Sequence, residues 1–247
     1  MYLNIESALM DRFPNSHNAI QYILSENIDV QTVLDVGVAA KTAFLQKAFP
    51  DKKHILFEPM VEFRDGCKIS YEDKKIDYEL HNVALSDIVD PDGRVFYNKH
   101  EGRKYIWSGV VPKGIEHYHG QVHPKRDIKI YTLDNFLADK KYKKPYYLKI
   151  DVDGGEMKVL EGAKNILKDC SVIQVEASLH KSQDQLVWNN LPWFQEQGFR
   201  LFDVVDMYYI DNYLWQIDLI FLNHTDYERI RNKSKKNWDD KQWQFLQ

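Results

Sequence analysis

The stretch VLDVGVAAKTAFLQKAFPDKKHILFEP, running from Val33 to Pro59, sets two strand-like apolar runs around a helical segment. Val33, Leu34 and Val36 lead through Asp35 into Gly37. The second run ends at Glu58, about 20 residues further on, where a ribose-binding carboxylate follows a nucleotide-binding turn. The later glycines of a dinucleotide fingerprint are replaced here by Ala39 and Lys41. The stretch therefore predicts a nucleotide-like cofactor site and leaves the cofactor open.

Further strand candidates follow at helix-separated intervals. DYELHNVAL is the third, IKIYTLDNFL is a short strand entering a helix, and YYLKIDV precedes the helical GEMKVLEGAKNIL. After CSVIQVEAS come a helix ending at Gly198 and two strands, RLFDVVDMYYI and LWQIDLIFLNH. Apolar strands alternating with helices predict a doubly wound parallel sheet, with ligands beyond the carboxyl ends of its strands. The last two strands are separated only by Asp211 to Tyr213, which fits an antiparallel hairpin and not a helical crossover.

With 247 residues and neither a linker nor a repeat, the chain reads as one domain: leading helices over 1–30, the α/β core over 31–224 and a polar C-terminal tail over 225–247. Its apolar runs are of strand length, and MYLNIESALMDRF lacks the layout of a secretory signal, which predicts a soluble cytoplasmic protein with no membrane partner. Cys67 and Cys170 follow no metal or redox spacing. A net charge of −4 does not advertise a polyanion partner, and KKYKK and RIRNKSKK read as solvated surface, so nucleic acid is not expected. The sequence leaves the oligomeric state open.

Taken in order, VLDVGV, ILFEP, NVALSD, YTLDNF, LKIDVDGGEMKVLEGA and IQVEAS resemble the FkbM family of S-adenosylmethionine-dependent methyltransferases, from about Val33 to Glu176. The resemblance implies a Rossmann-like class I methyltransferase fold, a mostly parallel seven-stranded sheet with a C-terminal antiparallel hairpin strand. It also implies S-adenosylmethionine as cofactor, held by Asp35, Gly37, Ala39, Lys41 and Thr42 in the first turn, by Glu58 and Pro59, and by Ala84, Leu85 and Ser86. Family members usually read Asp-x-Gly-Ala-Asn-x-Gly in that turn; Val38, Ala39, Ala40 and Lys41 depart from this pattern.

Each residue has a physical role to fill. Asp35 would hold the amino-acid end of the cofactor or order the turn, and Glu58 would accept hydrogen bonds from both ribose hydroxyls. Lys41 would turn its charge into water or face the cofactor carboxylate. Asp151 ends an apolar strand at the rim, where a carboxylate can position the acceptor or take its proton. Glu176 and His180 are the further catalytic candidates, and Glu156 opens the next helix, where an acid suits the helix N-terminus. Paired rim acids could also hold a divalent metal, although no metal site is predicted. The histidines of HYHGQVH and the aromatic residues Tyr97, Tyr105, Trp107 and Tyr118 are candidates for acceptor binding.

The expected activity is O-methylation of a hydroxyl on a sugar or glycosylated metabolite, the partner being a small-molecule or glycan acceptor. Two alternatives are a nicotinamide-dependent oxidoreductase and a non-catalytic binding protein that keeps the fold.

Overall fold

The computed structural model describes residues 12–99, 106–111, 125–179 and 187–241. Helix α1 (Ser16–Ser25) leads in, its N-terminus capped by the Asn15 side chain, which accepts from the Asn18 amide at 2.8 Å. The core then alternates β1 (Thr32–Val36), α2 (Ala43–Ala48), β2 (Lys53–Phe57), α3 (Arg64–Asp73) and β3 (Tyr78–His81). Short strands β4 (Ala84–Leu85), β5 (Arg94–Lys99), β6 (Ile106–Val111), β7 (Lys125–Asp127) and β8 (Ile130–Tyr131) lie outside the main sheet and precede α4 (Leu133–Leu137). The second half runs β9 (Tyr146–Ile150), α5 (Glu156–Glu161), β10 (Cys170–Ser178), α6 (Leu191–Glu196), β11 (Phe199–Ile210), β12 (Tyr213–Asn223) and α7 (His224–Lys241).

The main sheet has seven strands in the order β11-β12-β10-β9-β1-β2-β3. Its members from β10 to β3 pair in parallel, and only β12 is reversed against its neighbours β10 and β11. This is the expected mostly parallel sheet closed by an antiparallel hairpin strand. The hairpin turns on Asp211 and Asn212, both left-handed with φ of 49° and 64°, as a tight two-residue turn requires.

Strand periodicity divides the side chains between two cores. Leu34, Val36, Leu148, Ile150, Ile173 and Val175 meet α4, α5 and α6 on one face. On the other, Val33, Tyr147, Val172, Ile220 and Leu222 meet α1, α2 and α7. Toward the carboxyl ends of the strands this second face turns polar: by the same alternation Asp35, Lys149, Gln174, Glu176 and Asp218 follow those apolar residues.

Three segments differ from the sequence reading. DYELHNVAL is two strands, because the chain leaves the sheet edge at Asn82, whose side-chain amide donates to the carbonyls of Glu58 and Pro59 at 2.9 Å each; β4 then pairs with β8. The stretch after Arg94, where the sequence reading names no strand before IKIYTLDNFL, contributes an antiparallel sheet of β6, β5 and β7. The tail is a helix through Lys241, with Ile230 buried, Tyr227 packed on the second core and Lys233 paired with Glu26 at 2.7 Å. Its many charges hide this docked stripe from a composition-based reading. No helix among the described residues is long and apolar enough to cross a membrane.

Candidate active site

A cavity of about 300 Å³ opens at the carboxyl ends of β1, β2 and β9, the position that a parallel sheet reserves for ligands. Gly37 forms part of its floor. Glu58 and Pro59 line one side, Val83 to Ser86 a second, and Val152 to Gly155 a third; Val95 and Ser108 to Val110 of the accessory sheet close it. That outer wall is clamped by Arg126 of β7, which donates twice to Glu62 at 2.6 and 2.7 Å just beyond β2.

Gly37 is required by backbone geometry. It adopts φ of 77°, and a Cβ there would lie 1.8 Å from the Asp151 carbonyl oxygen. The turn thus passes directly against the end of β9. Ala39 is also left-handed, with φ of 48°, a conformation that the family's usual Asn adopts more readily than Ala.

Glu58 is buried and points back at the turn. Its Oε2 accepts from the Ala39 amide at 2.9 Å and its Oε1 from the Met60 amide at 2.8 Å. Burial raises its pKa to about 7, against the lowering effect of these two amides and of Lys149. Each oxygen keeps a lone pair for a ribose hydroxyl.

The remaining first-turn residues do not reach the cavity. Asp35 is fully buried beneath the turn, 3.6 Å from the Lys149 ammonium, which suits ordering of the turn and not contact with a cofactor. Lys41 is exposed, and Thr42 is buried at the start of α2 without capping it by its side chain. Ala84, Leu85 and Ser86 do line the cleft.

At the rim, Asp151 directly precedes the cleft residue Val152 without lining the cavity itself; its side chain is 43 % exposed and lies 3.1 Å from Lys149 Nζ. Glu176, buried on the neighbouring strand, is hydrogen-bonded to Asp151. Burial first, then that bond and the charge of Asp151, push its pKa far above the ordinary carboxyl range. Burial and the neighbouring carboxylate thus favour the protonated form of Glu176. Glu156 is occupied elsewhere: its Oε1 accepts from the amides of Val152 and Gly154 at 3.2 and 2.8 Å and closes the Asp153-Gly154-Gly155 turn.

His180, the histidines of HYHGQVH, Tyr105 and Tyr118 lie outside the described residues. Tyr97 packs in the accessory sheet with the Arg126 guanidinium 5.0 Å from its ring centroid. Among the described residues no group of three or more His, Cys, Asp or Glu could hold a metal ion.

Two positioning residues escaped the sequence reading. Asn82 holds the end of β2 from within NVALSD, and Lys149 joins Asp35, Asp151 and the Gly37 carbonyl. A lysine inside the apolar strand YYLKI was the available signal for the second.

The model of the Methyltransferase FkbM domain matches residues 33–201, more than half of the chain. The chain belongs to the FkbM methyltransferase family. Curated proteins give no match. Among solved structures, an rRNA methylase from Streptococcus thermophilus is similar at 12% identity and a TM-score of 0.47, over 87% of this chain and 98% of that one. The magnesium protoporphyrin IX methyltransferase of Synechocystis PCC 6803, with bound SAM, gives 6% identity and a TM-score of 0.47, over 83% and 76%. An S-adenosylmethionine-dependent methyltransferase from Clostridium acetobutylicum gives 8% and 0.45, over 89% and 94%.

For this FkbM-family chain, S-adenosylmethionine fits the cleft by the chemistry of its lining. One buried carboxylate suits an unphosphorylated ribose diol, Val83, Ala84, Leu85 and Val110 form an apolar slot for a purine, and Gly37, Gly154 and Gly155 let the backbone approach the amino-acid end.

Proposed function

We propose that this chain methylates a hydroxyl oxygen, that of a sugar in a glycan or glycosylated metabolite. Bound S-adenosylmethionine supplies an activated methyl group on a sulfonium, so the protein's task is placement and removal of one proton. The acceptor oxygen forms a bond to the methyl carbon as the sulfur–carbon bond breaks, its electron pair goes to sulfur, and the hydroxyl proton passes to Asp151. The observation that carries this reading is the rim pair: Asp151, 43 % exposed and one residue before the cleft-lining Val152, is backed by the buried Glu176, whose burial favours its protonated form. Glu176 is accordingly a hydrogen-bond donor to Asp151 and not the base.

The sugar assignment is supported by the family resemblance and by exposed aromatic side chains at the same end of the sheet. Because β11 runs parallel to β10, the hairpin carries Tyr208, Tyr209 and Tyr213 out beyond the carboxyl rim, where rings can stack on sugar faces.

The test is mass spectrometry of candidate glycans incubated with labelled S-adenosylmethionine, using wild type and Asp151→Asn. Methylation of a hydroxyl, slowed by about 10²–10⁴-fold in the variant while the fold and cofactor affinity persist, is the expected result. Transfer to nitrogen or carbon would overturn the O-methyl reading, and full turnover in Asp151→Asn would remove the base role.

A further inference from the structure

Beneath the cleft three strands meet at one ammonium. Lys149 is buried in β9, between Asp35 of β1 and Gln174 of β10 in register. Its Nζ lies 3.1 Å from the Gly37 carbonyl oxygen, 3.1 Å from Asp151 Oδ2 and 3.6 Å from Asp35 Oδ1. An ammonium has three N–H donors and no acceptor; the Gly37 carbonyl and Asp151 lie within hydrogen-bond distance of it, and Asp35, at 3.6 Å, acts on it as a charge alone. Neither Asp35 oxygen accepts a hydrogen bond among the described residues, which leaves the Lys149 charge as its counterweight.

The surroundings are otherwise acidic. Asp35, Glu176 and Asp218 face Lys149 and Asp151 from β1, β10 and β12, and Asp153 and Glu156 add negative charge from the turn after β9. Without a cation, the arrangement would draw protons onto both members of the rim pair.

We propose that Lys149 is a positioning residue for methyl transfer: it holds the Asp151 carboxylate and the Gly37 carbonyl on one ammonium, keeping Asp151 anionic, leaving the pair's proton on Glu176, and linking this protonation pattern to the cofactor turn. The catalytic meaning rests on the methyl-transfer reading, whereas the protonation pattern belongs to the free protein and can be measured there. A lysine that only filled the sheet interior would affect stability and leave the titration of Asp151 where it is.

The test is a carboxyl ¹³C NMR titration of the full chain, with resonances assigned from Asp151→Asn and Glu176→Gln. In Lys149→Met, Asp151 should take up its proton about 1–3 pH units higher than in wild type, the scale of a lost adjacent cation. In Asp35→Asn it should move the opposite way, because a competitor for the ammonium and a nearby negative charge are removed together. Opposed shifts are not a product of general loosening. Should Lys149→Met fail to fold around an uncompensated Asp35, the double variant Lys149→Met/Asp35→Asn removes the buried pair as a unit. It should still show the upward shift, since the lost cation is the nearer charge. An Asp151 titration unmoved in Lys149→Met, or in the double variant where that is needed, overturns the proposal. S-adenosylhomocysteine calorimetry is the second readout. About tenfold weaker binding to Lys149→Met is expected from the freed Gly37 turn, and unchanged binding would refute the link to that turn. Failure of wild type to bind would sink the cofactor reading while leaving the NMR result on Lys149 intact.

Discussion

The Ala39 amide donates a 2.9 Å hydrogen bond to Glu58 Oε2, tying the first cleft turn to the end of the second strand. With the Met60 amide on Oε1, this bond fixes the carboxylate plane and aims it across the cleft mouth. The turn that departs from the family pattern is thus the turn that orients the Glu58 carboxylate.

Ala39 holds this position at a cost, because a left-handed Ala is disfavoured by roughly 1 kcal/mol. Ala39→Asn, which restores the family residue, and Ala39→Gly should each raise the midpoint of thermal unfolding, by about 0.5–1 kcal/mol in stability. A lower midpoint in both variants would show that the Ala39 methyl makes a contact outweighing its backbone strain.

Glu58 makes cofactor binding pH-dependent. Its folded pKa of about 7 lies above its ordinary value of 4.5, so the free chain holds this proton more tightly folded than unfolded and should lose stability as pH rises from 4.5 through about 7. A diol that donates to Glu58 prefers the carboxylate. Affinity for S-adenosylhomocysteine should therefore increase as pH rises through about 7 and level off above it, with proton release seen by calorimetry in buffers of different ionisation enthalpy. Glu58→Gln should flatten the profile; a wild-type profile flat from pH 5 to 9, about two units to either side, would contradict the assignment.

Gly162 explains why VLEGA belongs to the recognisable set. A Cβ there would stand 2.2 Å from the Ser86 carbonyl oxygen, so α5 packs on the cleft strand only through a glycine. Gly162→Ala should destabilise the chain by about 1–3 kcal/mol, read as a lower denaturant midpoint. An unchanged midpoint would mean that the helix end shifts freely.

Much of this was legible from strand ends. Gly37 and Glu58 reach the cleft because each follows an apolar run in the parallel sheet, Ala84 to Ser86 reach it from a separate short strand, and the short connection at Asp211 to Tyr213 marked the hairpin. Asp35 was harder to place, since it lies within β1 and strand alternation turns it away from the cavity into the polar file beside Lys149. Motif membership alone did not separate contact from support. In YTLDNF, Thr132 caps α4 by accepting from Asn135 at 3.0 Å, and Asp134 accepts from the Asn165 and Ile166 amides. The outer wall, Ser108 to Val110, was illegible because a clamp distant in sequence, Arg126 with Glu62, brings it over the cleft.

The central claim is that the cleft holds S-adenosylmethionine with its ribose on Glu58. Calorimetric titration of S-adenosylhomocysteine into wild type and Glu58→Ala at pH 8 tests it most directly. The account predicts saturable one-to-one binding to wild type and a loss of about 1–3 kcal/mol in the variant, from the removed charge-assisted hydrogen bonds. An equal dissociation constant for the two proteins, or no binding to wild type, would contradict it.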